Sequence, residues 1–379
     1  MNRTTLRILL AVLVMTGLML TASSCSGEKG ETAPATEAAE VMATAAPQTT
    51  ALQTTAATEP SKTLPPETQA PTTQPTETEP PEERFLLTFA GDCTLGCVPE
   101  AYYATVGFIK TVGDDYEYPF RNVIDYFEND EFSMVNLEGT LTKDGARQNK
   151  SFTFIGPPDY VNILTENSVE AVTVANNHTW DFGELGYKTT LETLDGAGVP
   201  YVRQNNTQIV TTQNGLTIGL YATVYYAMDT EDMVESVQGL KEQGVDLVVV
   251  APHWGGEGFY TPDKSQTEYA YAAIDAGADI VYGAHPHVLQ PVEEYNGGII
   301  YYSLGNFVFG GNSNPEDYDT AIFQQEVIRD AEGNVRLGEL KVIPCSVSSA
   351  SSYNNYQPTP YEEGSEEYNR VLAKVGGNW

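Results

Sequence analysis

Residues 246–287 read DLVVVAPHWGGEGFYTPDKSQTEYAYAAIDAGADIVYGAHPH. The run 246–251 has the length and β-branched bias of a buried strand, 265–276 repeats apolar side chains at helical spacing, and 280–282 is a second short strand. Gly277 follows the helical stretch where a helix stop is expected. Working outward, 85–90, 132–137, 170–175, 216–221 and 298–303 read as further strands. Segments 118–129, 184–197 and 231–243 have helical spacing, and 321–328 with 335–343 reads as a late antiparallel hairpin around residues 330–334. Repeated strand–helix–strand units predict a layered α/β fold with helices packed on a sheet. No internal repeat and no second linker interrupts 85–379, which is read as one domain.

The chain has four histidines, His178, His253, His285 and His287, each placed just after a predicted strand. In open α/β sheets, ligands bind at the carboxyl ends of strands. The same edge receives Asp92 after the first strand, and Asn136-Leu137-Glu138 at the end of the second. Asn176-Asn177-His178 follows the third, with Asp181 one turn further on. In Gly283-Ala284-His285-Pro286-His287, an extended backbone would point both imidazoles to one side, and Pro286 biases His285 toward that extended form. This is the spacing of a preorganised metal-ligand pair. His253-Trp254-Gly255-Gly256-Glu257 places two glycines where a backbone can approach a ligand closely.

Of 379 residues, 19 are Lys or Arg and 52 are Asp or Glu, a formal net charge of −33. About −28 of that belongs to 85–379. Such a chain lacks the clustered cations that nucleic acid requires, so no nucleic-acid partner is expected.

All aromatic residues lie at or beyond Phe85. Residues 1–24 carry Arg3 and Arg7 before a thirteen-residue apolar or small stretch, 8–20, too short for a membrane span and suited to a secretory signal. Small residues 21–24 precede Cys25 as in a bacterial lipobox, so Cys25 is the expected lipidation site. Residues 26–84, rich in Thr, Ala, Pro and Glu, cannot bury enough apolar area to offset ordering and are expected to be a disordered tether. The expectation is a lipoprotein on the extracellular face of the bacterial cell membrane. Cys93, Cys97 and Cys345 remain, an odd trio that reads as buried thiols, although Cys93 and Cys97 are close enough in sequence to pair or to assist a metal.

Together these motifs, with Ser303-Leu304-Gly305-Asn306-Phe307, resemble in order and spacing the CapA-type proteins associated with poly-γ-glutamate capsule synthesis or export. That family in turn resembles the calcineurin-type metallophosphoesterases. The resemblance implies a four-layer αββα β-sandwich flanked by helices, holding one or two divalent ions (Mn, Fe or Zn). By motif, it assigns Asp92 to a first metal and Glu138 as the bridging carboxylate. Asn177 and His253 fall to a second metal, and His285 and His287 to one metal each. His178 would be the general acid, oriented by Asp181, and Asn306, after another strand, would line the site. Asn136, Asn176, Trp254 and Glu257 complete the expected substrate surroundings.

Three departures stand out. Thr94 occupies the position of a phosphoesterase histidine, Glu138 replaces an aspartate, and Ala284 lengthens the final Gly-His-x-His. Two function classes follow. One is a metal-dependent hydrolase or transferase acting on a phosphoester or an anionic γ-glutamyl polymer. The other is a non-catalytic capsule-assembly or polymer-docking protein, working with capsule-synthesis membrane proteins, that keeps the metal for structure. A plain adhesin or solute-binding lipoprotein fits the tether but leaves the histidine placement unexplained.

Overall fold

The strand-length apolar runs form two separate sheets in the computed structural model, which describes residues 82–377. The signal stretch 1–24, Cys25 and the tether as far as residue 81 lie outside the described residues. The larger sheet runs in the order β16 (Thr359–Pro360), β15 (Val335–Ser346), β14 (Asp319–Arg329), β1 (Glu83–Thr94), β2 (Phe132–Leu137), β5 (Ala171–Thr173) and β6 (Tyr201–Val202). A further strand, β13 (Asn306–Phe309), pairs in parallel with the end of β1. The smaller sheet runs β11 (Val292–Tyr295), β12 (Gly298–Tyr301), β10 (Ile280–Tyr282), β9 (Leu247–His253), β8 (Thr217–Val224) and β7 (Asn206–Thr211). A two-stranded piece, β3 (Thr140–Leu141) with β4 (Ile155–Gly156), stands apart.

Side-chain alternation along these strands builds three apolar slabs. Phe89, Met134 and Phe323 from the larger sheet meet Leu220, Val249, Tyr282 and Tyr301 from the smaller one in the central slab. The opposite faces carry the alternate residues. Val135 and Val172 pack under α1 (Phe108–Val112), α2 (Ile124–Phe127), α3 (Asn162–Thr165) and α4 (Gly183–Ala197), through Phe108, Phe127, Leu164 and Leu194. Val248, Val250 and Val281 pack under α5 (Thr230–Glu242) and α6 (Lys264–Ala276), through Met233, Val237, Leu240 and Ala273. Helix, sheet, sheet, helix is the four-layer order. Val371 and Val375 of a last helix, α7 (Glu366–Val375), join the central slab beside β14 and β15.

Three expectations need correction. Segment 118–129 is not one helix but a 3₁₀ turn, Tyr118–Phe120, followed by the short α2. Val123 leaves the helical region between them at φ −131°. The first strand starts at Glu83, two residues before the stretch 85–90 read for it, with Glu83 and Arg84 paired with Arg329 and Ile328. Asp92 lies inside the first strand instead of after it, because β1 runs on to Thr94. The late hairpin is present as antiparallel β14 and β15. Cys93, Cys97 and Cys345 are free and buried, and burial pushes all three thiols up, Cys97 to about 11. Among the described residues, no helix is long and apolar enough to cross a membrane.

β1, β2 and β5 are mutually parallel, as are β8, β9, β10 and β12. Each sheet therefore delivers several carboxyl strand ends to one edge. The two sheets are stitched there by the Tyr282 hydroxyl, which donates to the Ala90 carbonyl at 2.6 Å, while the Asp92 N–H donates to the Gly305 carbonyl at 2.8 Å as part of the β1–β13 pairing. Gly283 leaves β10 so close to β12 that a Cβ would sit 2.2 Å from the Tyr302 carbonyl oxygen. Gly283→Ala is expected to destabilise the fold by about 1–3 kcal/mol, the usual range for overpacking. Denaturant unfolding reads this directly; an unchanged midpoint would show that the β10–β12 crossing tolerates a methyl group.

Candidate metal centre

Asp92 lies two residues before the end of β1, directly opposite Asn136 of β2, and Glu138 is the first residue beyond β2. Both acids are fully buried. Asp92 Oδ1 accepts from Asn136 Nδ2 at 2.8 Å and its Oδ2 lies 3.1 Å from His287 Nδ1, but both Glu138 oxygens have no hydrogen-bond partner. Around Glu138 Oε1 stand three imidazole nitrogens: His253 Nε2 at 3.7 Å, His287 Nε2 at 3.8 Å and His178 Nε2 at 3.9 Å. Donor atoms of Glu138, His285 and His287 all lie within 4.8 Å of one another. Metal–ligand bonds to nitrogen and oxygen are about 2.0–2.2 Å, so donors spaced by a little under twice that length leave room for an ion between them.

The electrostatics agree. Burial raises the Glu138 pKa well above its ordinary range, with Asp92, Glu257 and Asp181 adding to the rise against the pull of His287. Burial drives His253 well below the ordinary histidine value and His285 down to about 4, neighbouring imidazoles lowering both further. His287 is the exception. Burial opposes its charge, yet Glu138 and Asp92 outweigh it and raise it to about 10. The acids draw on the nearest positive charge, as an oxygen-lined cation site does without its cation.

Neighbours fix the ligands in place. His253 Nε2 lies 2.8 Å from Asn177 Oδ1, and its Nδ1 lies 3.3 Å from Asn136 Nδ2. Asn176 donates to Asn136 Oδ1 at 3.1 Å and to the Leu137 carbonyl at 2.9 Å, while its own Oδ1 accepts from the His178 N–H. These bonds occupy Asn136 and Asn176 with the scaffold. Asn306 grips His287 twice, its Oδ1 2.9 Å from Nδ1 and its Nδ2 donating to the backbone carbonyl at 3.2 Å. His178 Nδ1 is 2.7 Å from Asp181 Oδ2, which turns Nε2 toward Glu138. Burial lowers the His178 pKa, Asp181 opposing.

The His285–His287 pair converges by a different route from the one expected. His285 has φ +99° and His287 φ +57°, so the segment is bent rather than extended. Strand-like bonds on either side hold it: the Trp254 N–H donates to the Ala284 carbonyl at 3.0 Å and the Leu304 N–H to Gly283 at 3.3 Å. Trp254 is buried, donating its indole N–H to the Tyr302 carbonyl at 2.8 Å, so its place is in the core rather than against a substrate. Glu257 is exposed at the rim. Three contributors escaped the sequence reading. Lys150 pairs with Asp181 Oδ1 at 2.5 Å, donates to the Asn177 carbonyl at 2.7 Å and lies 3.2 Å from His178 Nδ1. Phe154 packs on the His178 ring at 4.3 Å, and Tyr225 stacks on His285 at 5.2 Å. None of these three carries a motif; only the fold brings them in.

A two-sheet sandwich with helices outside, and histidines and carboxylates gathered at its shared strand-end edge, is the layered architecture that the sequence motifs led one to expect. The family model for the bacterial capsule synthesis protein PGA_cap matches residues 86–311, and the chain belongs to that family. It is similar to the PGA biosynthesis protein CapA of Bacillus subtilis (strain 168), 29% identical over 280 residues, covering 68% of this chain and 70% of that one. The capsule biosynthesis protein CapA of Bacillus anthracis is 30% identical over 257 residues, 60% of each chain. The solved structure of Haemophilus influenzae NAD nucleotidase aligns with a TM-score of 0.40 at 12% identity, covering 79% of this chain and 64% of that one.

Glu138→Gln removes the buried charge while keeping its shape. In chelator, the variant is expected to melt at or above the wild-type temperature. With added Mn²⁺ or Zn²⁺, wild type should gain stability that the variant does not. Thermal unfolding in the four conditions tests this, and equal metal stabilisation of both proteins would remove Glu138 from the ligand set.

Proposed function

We propose that this chain is a metal-dependent hydrolase or transferase of poly-γ-glutamate capsule biosynthesis, held at the outer face of the cell membrane by lipid on Cys25. The observation that carries the catalytic reading is the partnerless, fully buried Glu138 carboxylate ringed by three imidazole nitrogens at 3.7–3.9 Å. Asp92, Glu138, Asn177, His253, His285 and His287 would hold one or two divalent ions. Their mixed N/O chemistry, without thiolate, suits Mn, Fe or Zn. An ion bound there supplies Lewis acidity and an activated nucleophile near neutral pH.

The rest of the chemistry falls to the chain's own groups. His178 moves a proton at Nε2, which faces the cluster, while Asp181 fixes Nδ1. Lys150 holds Asp181 and the Asn177 carbonyl, and so sets both the proton-transfer group and a ligand. Asn136, Asn176 and Asn306 lock imidazole and amide orientations in advance. The scissile bond is a phosphoester or a γ-glutamyl amide, both of which place negative charge on oxygen as they react. A non-catalytic, polymer-docking role is the second reading. It rests on Thr94, which stands where the phosphoesterase pattern has a nitrogen ligand.

His178→Ala is expected to lower kcat by about 10²–10⁴-fold while metal content stays at the wild-type level. His285→Ala with His287→Ala should lose both. Turnover assays on phosphoesters and poly-γ-glutamate, paired with metal analysis, decide the matter; full activity in the double variant would end the catalytic reading. Because the domain carries about −28 net charge, its association with poly-γ-glutamate should need divalent cations. Binding that persists undiminished in chelator would contradict that expectation.

A further inference from the structure

Tyr225, Tyr226 and Phe259 are all strongly exposed, at 48%, 55% and 68%, and all follow the carboxyl ends of β8 or β9. The Tyr225 ring lies nearly parallel to His285, 24° between planes, and Tyr226 stands edge-on to it at 5.1 Å. Phe259 reaches the same segment by another path, since the neighbouring Gly258 N–H donates to the Pro286 carbonyl at 2.8 Å, between the two histidines.

Exposed aromatic rings cost apolar surface, yet buried groups are committed to keeping Phe259 where it is. Buried Gln290 donates to its carbonyl at 2.8 Å, and buried Gln266 donates to Gln290 at 2.9 Å. Tyr260, the next residue, is latched to Asp317 at 2.9 Å, with the Lys374 ammonium 5.2 Å above its ring. Gly256 is bare because a Cβ there would meet the Phe259 ring at 2.8 Å. The glycine thus makes room for the protein's own aromatic side chain instead of for a ligand backbone. We call these exposed rings the aromatic shelf: Tyr225 and Tyr226 join the 285–287 segment through the stack on His285, and Phe259 through the Gly258–Pro286 bond.

We infer that the shelf is a substrate subsite for a flat, uncharged ring carried on the leaving-group side of a phosphoester whose phosphoryl group sits at the metal centre. The inference rests on the metal-dependent reading above and selects the phosphoester within it. Aromatic faces are electron-rich, so they attract a stacked ring and disfavour carboxylates. Exposed Glu257 beside Phe259 adds a further negative group. A γ-glutamyl polymer, with a carboxylate on every residue and no ring, matches the shelf poorly. A ring stacked on Tyr225 would have that one side chain between it and His285, itself proposed to hold the ion.

The test is calorimetric titration of the Mn²⁺-loaded chain with phenylphosphonate and methylphosphonate, which share a headgroup and differ in the ring. Phenylphosphonate should bind about tenfold tighter, as a stacked ring does. In Phe259→Ala with Tyr226→Ala, the ratio should fall close to one, with methylphosphonate affinity and metal content unchanged. Phe259→Leu, which keeps apolar bulk without a ring, should lose most of Phe259's share. Equal binding by wild type, or a ratio that survives the double substitution, overturns the shelf and leaves the metal centre standing. Failure to retain Mn²⁺ overturns the metal reading, and the shelf falls with it.

Discussion

Two carboxylates carried out of water at the ends of neighbouring strands set the terms for everything around them. Asp92 and Glu138 are fully buried, and neither Glu138 oxygen has a hydrogen-bond partner. An unpaired buried charge is among the most costly features a fold can hold. The cost is tolerable only with positive charge close by, and the surroundings supply little that is permanent. Lys150 is committed to Asp181, and three of the four imidazoles are pushed toward neutrality by burial. His287, raised to about 10 and 3.1 Å from Asp92 Oδ2, supplies one such charge, and a divalent cation would supply the rest.

That demand explains the rigidity of the frame. A loose set of side chains would relax, protonate or turn toward solvent. Here each ligand sits at or just past the end of a buried strand, and amides of Asn136, Asn176 and Asn306 hold the imidazoles and one another. The positive φ values at His285 and His287 belong to the same logic. Such conformations are disfavoured for non-glycine residues and persist where surrounding bonds over-determine them. The bonds from Trp254 and Leu304 to Ala284 and Gly283 do so here.

Sequence made the strand ends legible because apolar runs fix where a buried strand stops and which polar residue comes next. Asp92, Glu138, Asn177, His178, His253, His285 and His287 were all readable that way, and the structure gathers them at one edge. Lys150 was not, since its value depends on a loop folding back onto residues 177–181. The bend at His285 was hidden because Pro286 biases its neighbour toward extension, and tertiary bonds override that bias. Trp254 was ambiguous for a similar reason: a tryptophan beside a histidine ligand reads as a substrate contact until its N–H is seen bound to Tyr302 inside the core. The segment at 118–129 fails as a helix because Val123 leaves helical dihedrals and Asn122 bonds outward to Gln357 and Thr359. Long-range partners of this kind leave no local periodicity.

The donor types divide between the sheets in a way that ties metal to fold. Asp92, Glu138 and Asn177 sit near or beyond the carboxyl ends of strands of the larger sheet and offer oxygen; His253, His285 and His287 sit at or beyond those of the smaller one and offer nitrogen. Thr94, on the larger sheet, withholds the nitrogen expected there, and its buried hydroxyl has no partner. An ion held by both sets would tie the two sheets together at the edge where Tyr282 of the smaller already meets Ala90 of the larger. Binding free energy that requires both sheets in register is folding free energy for that edge. The replacement at Thr94 shifts the ligand balance, because nitrogen then comes from one sheet alone. The centre depends more heavily on the smaller sheet holding its three histidines steady, which is where the strained backbone and the buried glutamine pair are found.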